Sequence, residues 1–123
     1  MTDTIVEASR IAEAARAKFI LLLIPSKEQS YWHIINENLG DLNRYDLDAV
    51  NRALMQFCRE NKITWIDLTP FFREEANRNK QLYFRLDGHW NAEGHRLAAR
   101  AIYDYLVKHR SLEMAPQKGS VKN

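Results

Sequence analysis

Two apolar segments constrain the fold of this chain more than any other feature. Residues 19–24 form a continuous apolar run that ends at Pro25. Such a run, without alternation, is typical of a strand buried on both faces of a parallel sheet. A short buried helix is the alternative, but the length of the run and the proline favour a strand. Residues 63–68 are rich in β-branched and aromatic side chains and precede Thr69-Pro70, which predicts a second strand.

Helical patterns lie on either side of the first predicted strand. Thr4 and Glu7 fit a capping box, which predicts a helix that runs to about residue 17. Residues 26–45 are harder to interpret, and a short helix that ends at Gly40 is one reading of them. The first strand is therefore expected to be flanked by helical segments.

Three further segments follow in order. Asp46 is predicted to be the N-cap of a helix that runs to about Asn61. The charged residues 71–80 suggest one helical turn and a loop. Asn91 is predicted to cap a long last helix, with an apolar stripe made of Leu97, Ala98, Ala101, Ile102, Tyr105 and Leu106.

The order of helices and strands predicts an α/β fold, a layered parallel sheet with flanking helices and right-handed crossovers. Two strands make a thin sheet with exposed edges, so we expect the chain to be part of a larger α/β domain. Residues 1–110 are assigned to that single domain. The polar residues 111–123 are predicted to be a disordered tail.

Composition narrows the classes of function. The length of 123 residues fits one domain, and a formal net charge of +2 with scattered basic residues gives no argument for nucleic-acid binding. The single cysteine, Cys58, excludes an internal disulfide and a C-x-x-C metal site, and is expected to be buried. The first residues lack the pattern of a signal peptide, and the longest apolar run is too short to span a bilayer.

A short polar motif precedes the last predicted helix. Asp87 lies two residues before His89, with Gly88 between them. A carboxylate that orients an imidazole, which then acts as a general base, is the equipment that activates a hydroxyl nucleophile. In the alternative interpretation, Asp87 or Asn91 only caps backbone donors at the start of the helix.

The predicted topology brings other polar residues towards this motif. Ligands of open α/β sheets gather at the carboxyl ends of the strands. Here the first strand is followed by Ser26 and Lys27, and the second ends near Asp67. Ser26 and Lys27 are therefore candidates for shaping the site, although the charged side chains of Lys27 and Arg73 are expected to form solvated surfaces.

The string Asp87-Gly88-His89-Trp90-Asn91, with Gly94-His95 after it, resembles the last motif of SGNH (GDSL-like) hydrolases. The similarity is closest to the alginate O-acetyltransferase-like branch, and it extends upstream to Pro25-Ser26-Lys27 and to Asp67-Leu68-Thr69-Pro70. It implies an SGNH-like (flavodoxin-like) fold of which this chain is an incomplete, C-terminal portion. It also implies Asp87 as the orienting acid, His89 as the general base, and Trp90 and Asn91 as residues that shape the turn.

The resemblance further implies an ester hydrolase or O-acyltransferase that acts on O-acyl groups of a carbohydrate. No cofactor is implied, and a full-length protein of this kind would belong to the bacterial cell envelope or periplasm. The partners expected are a small-molecule or polysaccharide acyl ester, and a second copy of the chain through an exposed sheet edge.

The nucleophile of the family is missing from the sequence. No Gly-Asp-Ser string is present, and the serines are Ser9, Ser26, Ser30, Ser111 and Ser120. We expect the nucleophilic serine on a separate N-terminal segment, so the isolated chain should be inactive. The alternative is a non-catalytic or degenerate binding module. Ser26 as the nucleophile is disfavoured, because the family places substrate-side loop residues at that strand end.

The sequence allows two other interpretations, a metal site and a carbohydrate-binding cleft lined by aromatic side chains. Asp87, His89 and His95 are close in sequence, but their spacing is not that of a zinc site, so no metal is assigned. Tyr31 and Trp32 follow a strand end, and they fit a substrate cleft or core packing equally well. Trp65 lies in a predicted buried strand, where core packing is favoured.

Overall fold

The computed structural model describes residues 2–39 and 45–109. The predicted tail 111–123 and the predicted helix end at Gly40 lie outside these residues. Six helices and two strands follow one another in the described residues: α1 (Thr2–Ala14), β1 (Ile20–Leu23), α2 (Lys27–Ser30), α3 (Trp32–Leu39), α4 (Ala49–Glu60), β2 (Thr64–Asp67), α5 (Thr69–Asn77) and α6 (Ala92–Lys108).

The two predicted strands form a parallel pair, which confirms the α/β class. Ile20 lies opposite Thr64 and Leu23 opposite Asp67. The Leu68 N–H donates to the Leu23 carbonyl at 3.0 Å, so the pairing continues one residue past β2. Both strand ends therefore emerge at one rim, as a parallel pair requires.

The main core lies between one face of the sheet and the last two helices. Its buried members are Ile66, Leu68, Phe72, Leu82, Tyr83, Ala98 and Ala101, with Ile20 and Leu22 packed against them. Because side chains alternate along a strand, Leu21 and Leu23 face the other way. There they line a groove with Val50 and Leu54 of α4. Cys58 of α4 is fully buried, as predicted.

Helix α5 corrects the expectation of one turn and a loop. Residues 69–77 are helical, with Pro70 in the first turn, where a missing N–H costs nothing. Phe72 and Ala76 are four residues apart and both fully buried. The many charged residues of this segment make the apolar pair hard to recognise in the sequence. In the structure Glu74 and Arg78 form an ion pair on the exposed side.

Several predicted helix ends were wrong by a few residues. Helix α1 begins at Thr2, so Thr4 lies within it and cannot cap it, and the helix ends at Ala14. Helix α4 begins at Ala49 with Asp48 as its N-cap, two residues after the predicted cap Asp46. Arg16, Lys62 and Asn79 follow α1, α4 and α5 with φ near +60°. Left-handed residues after a helix are usually glycine, so these three ends carry little sequence signal.

The ambiguous segment after β1 contains two short helices. Ser26 caps α2: its side chain accepts from the Gln29 N–H while the Gln29 side chain accepts from the Ser26 N–H. Helix α3 follows after Tyr31. None of the helices described here combines the length and the apolar composition that crossing a membrane would need.

Candidate active site

A tight loop, residues 84–89, carries the Asp-Gly-His motif, and we call it the Asp-His loop. Its ends are joined by an antiparallel bridge between Tyr83 and Trp90. The Phe84 N–H also donates to the His89 carbonyl at 3.0 Å. The loop therefore leaves and rejoins the core at neighbouring points, directly before α6.

The side chains of Asp87 and His89 are hydrogen bonded to each other. His89 Nδ1 lies 2.5 Å from Asp87 Oδ1, and the His89 backbone N–H donates to the same oxygen at 2.9 Å. The His89 side chain, followed by the backbone N–H groups of His89 and Gly88, holds the pKa of Asp87 below its ordinary value. The carboxylate is therefore the stable form and fixes the ring orientation.

The imidazole is open to solvent on its other side. The His89 side chain is 86% exposed, and Asp87 is its only hydrogen-bond partner among residues 2–39 and 45–109. With Nδ1 held by the carboxylate, Nε2 can accept a proton from an incoming hydroxyl group. The pair has the geometry of the acid and base of a catalytic triad.

The two serines near the rim, Ser26 and Ser30, are hydrogen bonded to groups other than His89. Ser30 is completely buried, and its Oγ lies 2.8 Å from the Tyr83 hydroxyl. Ser26 Oγ accepts the Gln29 N–H as the cap of α2. No hydroxyl group in the described part of the chain is hydrogen bonded to His89. Ser111 and Ser120 lie outside that part.

Asn91 fastens the base of the loop to α6. Its Oδ1 accepts from the Glu93 and Gly94 N–H groups, so it is the N-cap that the sequence predicted. Its Nδ2 donates to the Gln81 carbonyl at 2.8 Å, and its backbone N–H donates to the Leu82 carbonyl at 3.0 Å. One side chain thus starts the helix and holds the segment that leads into the loop.

Trp90 and Gly94 pack closely where the Asp-His loop meets α6. The Trp90 ring stacks on Phe72 with centroids 4.8 Å apart. A Cβ on Gly94 would lie 2.3 Å from the Leu82 carbonyl oxygen, so only glycine allows this approach. His95 meets the edge of Trp90 at 5.5 Å. This places His95 in a packing contact, on the exposed side of α6.

Lys27, four residues after the end of β1, forms hydrogen bonds to the Asp-His loop. Its Nζ donates to the carbonyls of Phe84 at 2.8 Å, Arg85 at 3.0 Å and Asp87 at 3.4 Å. Lys27 is therefore not a purely solvated charge. Asp67, at the end of β2, does not join them, because its Oδ1 accepts from the Thr69 N–H and from Asn51.

The polar network around Asp67 was not predicted from the sequence. Asn51 donates to Thr69 Oγ1 at 2.9 Å, and Gln29 donates to the Leu47 carbonyl at 2.9 Å. The available signal was a polar residue on the apolar side of α4, since Asn51 lies three residues before Leu54 and seven before Cys58. The network joins α2, α4 and α5 beneath the rim.

Arg73 extends the same network and is also not a solvated charge. Its two terminal nitrogens each lie 2.8 Å from a carboxylate oxygen of Asp48, and its Nε donates to the Gln29 carbonyl at 2.8 Å. The guanidinium lowers the pKa of Asp48. This bidentate pair locks the start of α4 against α5.

Tyr31 and Trp32 do not share a cleft. Tyr31 lines a cavity of about 630 Å³ together with Lys27 and Arg85, next to the Asp-His loop. Its hydroxyl donates to the Lys80 carbonyl at 2.9 Å and accepts from the Leu82 N–H at 2.8 Å. Trp32 lines a separate cavity of about 300 Å³ with Arg73. Of the two aromatic residues, only Tyr31 lines a cavity that reaches the Asp-His loop, at Arg85.

Trp65 is half-buried, and the Arg59 guanidinium lies over its ring at 6.0 Å. Within the described ranges, no group of three or more His, Cys, Asp or Glu side chains is arranged to hold a metal ion.

The parallel strand pair with its flanking helices is consistent with a partial α/β domain of the SGNH hydrolase-like class. Residues 2–122 match the model of the family described as "SGNH hydrolase-like domain, acetyltransferase AlgX", and the chain belongs to this family. The match confirms the resemblance that the sequence suggested, and it supports a hydrolase- or acyltransferase-like function. No curated protein and no solved structure gave a match.

Proposed function

We propose that Asp87 and His89 are the acid and the base of a Ser-His-Asp triad that hydrolyses or transfers O-acyl groups. The observation that carries the proposal is the 2.5 Å contact between Asp87 Oδ1 and His89 Nδ1, with the ring otherwise open to solvent. The exposed ring leaves Nε2 accessible to a reacting hydroxyl group while Nδ1 is held by the carboxylate.

The reaction follows from this geometry. A hydroxyl group supplied from outside the described residues attacks the ester carbonyl, and His89 Nε2 takes its proton. Asp87 stabilises the imidazolium, which returns the proton to the leaving alcohol as the acyl-enzyme forms. Water or a sugar hydroxyl then attacks the acyl group, again with His89 as the base, and the nucleophile is released. Hydrolysis and transfer differ only in this second acceptor.

We infer that the substrate is an acyl ester of a carbohydrate. The Tyr31 cavity, which reaches the Asp-His loop through Lys27 and Arg85, supports this substrate class. Its lining combines apolar groups, such as Ile34, with hydrogen-bonding groups, such as Gln81. Sugar rings present both apolar faces and hydroxyl groups, so a mixed lining of this kind suits them.

The test compares two samples. One is the gene product purified from the cells that naturally make it, and the other is the isolated 123-residue chain. In the isolated gene product, His89→Gln should lower kcat for acetate release from an acetylated oligosaccharide by about 10²- to 10⁴-fold. His109→Gln, at the end of α6, is the matched control and should have no effect. The 123-residue chain alone should show no burst with p-nitrophenyl acetate.

A serine-directed fluorophosphonate probe, followed by peptide mapping, identifies the nucleophile. A labelled Ser26, or full activity of His89→Gln, would contradict the proposed roles. Binding of the acetylated oligosaccharide without any turnover by the isolated gene product would point to the alternative, a non-catalytic binding module. That alternative draws support from the lack of a hydroxyl group at His89 among the residues described.

A further inference from the structure

The tip of the Asp-His loop is not held by packing. Leu86 is 97% exposed and Phe84 is 55% exposed. A Cβ placed on Gly88 would meet no described atom within 4 Å. The contact between Asp87 and His89 lies within the loop, so it orients these side chains towards each other but not towards the sheet.

Hydrogen bonds from outside the loop are few. Residues 84–88 receive only those from Lys27 Nζ, as far as the described residues show. The three acceptors are main-chain carbonyls within four consecutive positions, and an ammonium group has three N–H donors. The charge of Lys27 is thus met by carbonyl oxygens, since it forms no ion pair with any described carboxylate.

The other end of Lys27 is firmly placed. It is the first residue of α2, directly after the cap Ser26, which follows β1. The Tyr83 hydroxyl donates to the Pro25 carbonyl at 2.8 Å, which ties this strand end to the residue before the loop. The Lys27 side chain therefore spans from a fixed strand end to an otherwise unsupported loop tip.

We propose that Lys27 is a positioning residue, which holds the Asp-His loop against the carboxyl end of β1 so that His89 faces the reacting groups. Its catalytic importance rests on the proposed function, but the restraint on the loop does not. Charge-assisted hydrogen bonds are stronger than neutral ones, so three to one ammonium group form an effective clamp. A misplacement of about 1 Å in an active site can cost about 10²-fold in rate.

The first experiment measures the loop itself, by ¹⁵N relaxation of the 123-residue chain that carries Ile24→Lys, so that association through the edge of β1 left unpaired in the described residues does not slow its tumbling. In Lys27→Met, order parameters of Leu86 and Gly88 should fall from about 0.85 to below about 0.6. Lys18→Met, at the opposite end of β1, removes the same charge and should leave them unchanged. Lys27→Gln, which also removes the charge but keeps a polar side chain, repeats the test if the Met variant does not fold, and should likewise lower these order parameters. Unchanged order parameters in a folded Lys27 variant would overturn the proposal.

The second experiment measures catalysis in the gene product isolated from its own cells. Lys27→Met should lower kcat for p-nitrophenyl acetate about 10- to 100-fold with little change in KM, because the loss of positioning acts on the transition state rather than on binding of the ester. Lys27→Arg should recover only part of kcat, since its planar fork cannot direct three donors at three converging carbonyls. An unchanged kcat in Lys27→Met would refute the positioning role.

The two proposals fail in different ways. If the loop becomes mobile in Lys27→Met but His89→Gln keeps full activity, the restraint of the loop by Lys27 is supported. The catalytic role of Asp87 and His89 is then refuted. A rigid loop in Lys27→Met, together with an inactive His89→Gln, would refute the role of Lys27 alone.

Discussion

Gly94 and Gly88 show how differently two glycines act within one short motif. The first lies where α6 touches the Leu82 carbonyl, and a side chain there would overlap backbone that cannot move freely. The second lies at the open tip of the Asp-His loop, where the structure places no described atom near it. The sequence alone shows two similar glycines.

Gly94→Ala should therefore destabilise the fold, by about 1–3 kcal/mol, because the overlap outweighs the better helix propensity of alanine. Gly88→Ala is the matched control and should change the free energy of unfolding by less than about 0.5 kcal/mol. Urea denaturation followed by circular dichroism measures both. Equal effects of the two substitutions would show that the approach to Leu82 is not tight.

The Asp87 carboxylate should carry a pH signature. Its pKa is lower in the folded chain than the ordinary 3.8, chiefly through the His89 side chain and then its backbone N–H. The stabilisation from this contact is therefore complete above the unfolded-state pKa and is lost as pH falls through the folded-state pKa. When the carboxyl ¹³C shift of Asp87 is followed against pH, its midpoint should lie below 3.8 in the native chain. In His89→Ala the midpoint should move back towards 3.8. An equal midpoint in both would contradict the contact.

At the scale of elements, the start of α6 decides where the loop lies. Asn91 links the helix N-terminus to the Gln81 carbonyl through the two ends of one amide. Helix α6 in turn buries Ala98 and Ala101 against the sheet. The position of the Asp-His loop is thus coupled to the packing of the longest helix.

Asn91→Ala should lower the free energy of unfolding by about 1–2 kcal/mol, since it removes both the cap and the donor to Gln81. Asn91→Asp keeps the capping oxygen and replaces only the donor, so it should cost less. Thermal unfolding and the amide exchange of Glu93 and Gly94 report the two effects separately. If the alanine and aspartate variants were equally destabilised, the cap would not be the main contribution.

At the scale of the whole molecule, the sheet has an open side. Among the described residues β1 pairs only with β2, and a groove of about 430 Å³ runs along Leu21–Ile24. Ile24 and Val50 beside it are 59% and 62% exposed, and α1 contributes no fully buried residue. An unpaired strand edge next to an apolar groove favours association with another strand.

We therefore propose that the isolated chain self-associates through the edge of β1. Sedimentation should show oligomers at micromolar concentration, and the β1 amides should exchange rapidly in any monomer that remains. Ile24→Lys should shift the population towards monomer, whereas Val107→Lys, on the exposed side of α6, should not.

A monomeric native chain with cooperative unfolding would contradict self-association. It would also favour the non-catalytic module over the triad, because such a chain would not need further strands.

Local patterns in the sequence determined much of this protein. The two apolar runs predicted β1 and β2, Asn91 predicted the start of α6, and Cys58 was correctly assigned to the interior. The contact between Asp87 and His89 was predictable as well, because two residues in one turn meet without help from the rest of the fold. Each of these features depends on periodicity, capping or separations of a few residues.

Tertiary structure decided the rest. Lys27 reaches carbonyls that lie 57 to 60 positions away, and Asn51 reaches Thr69 across 18 positions. No local preference encodes such pairs, because they depend on how the crossover places α2 and α4 against the sheet. Helix α5 formed where the charges suggested a loop, because burial of Phe72 and Ala76 outweighs a weak local signal. The sequence determined which side chains could react, and packing decided which of them meet.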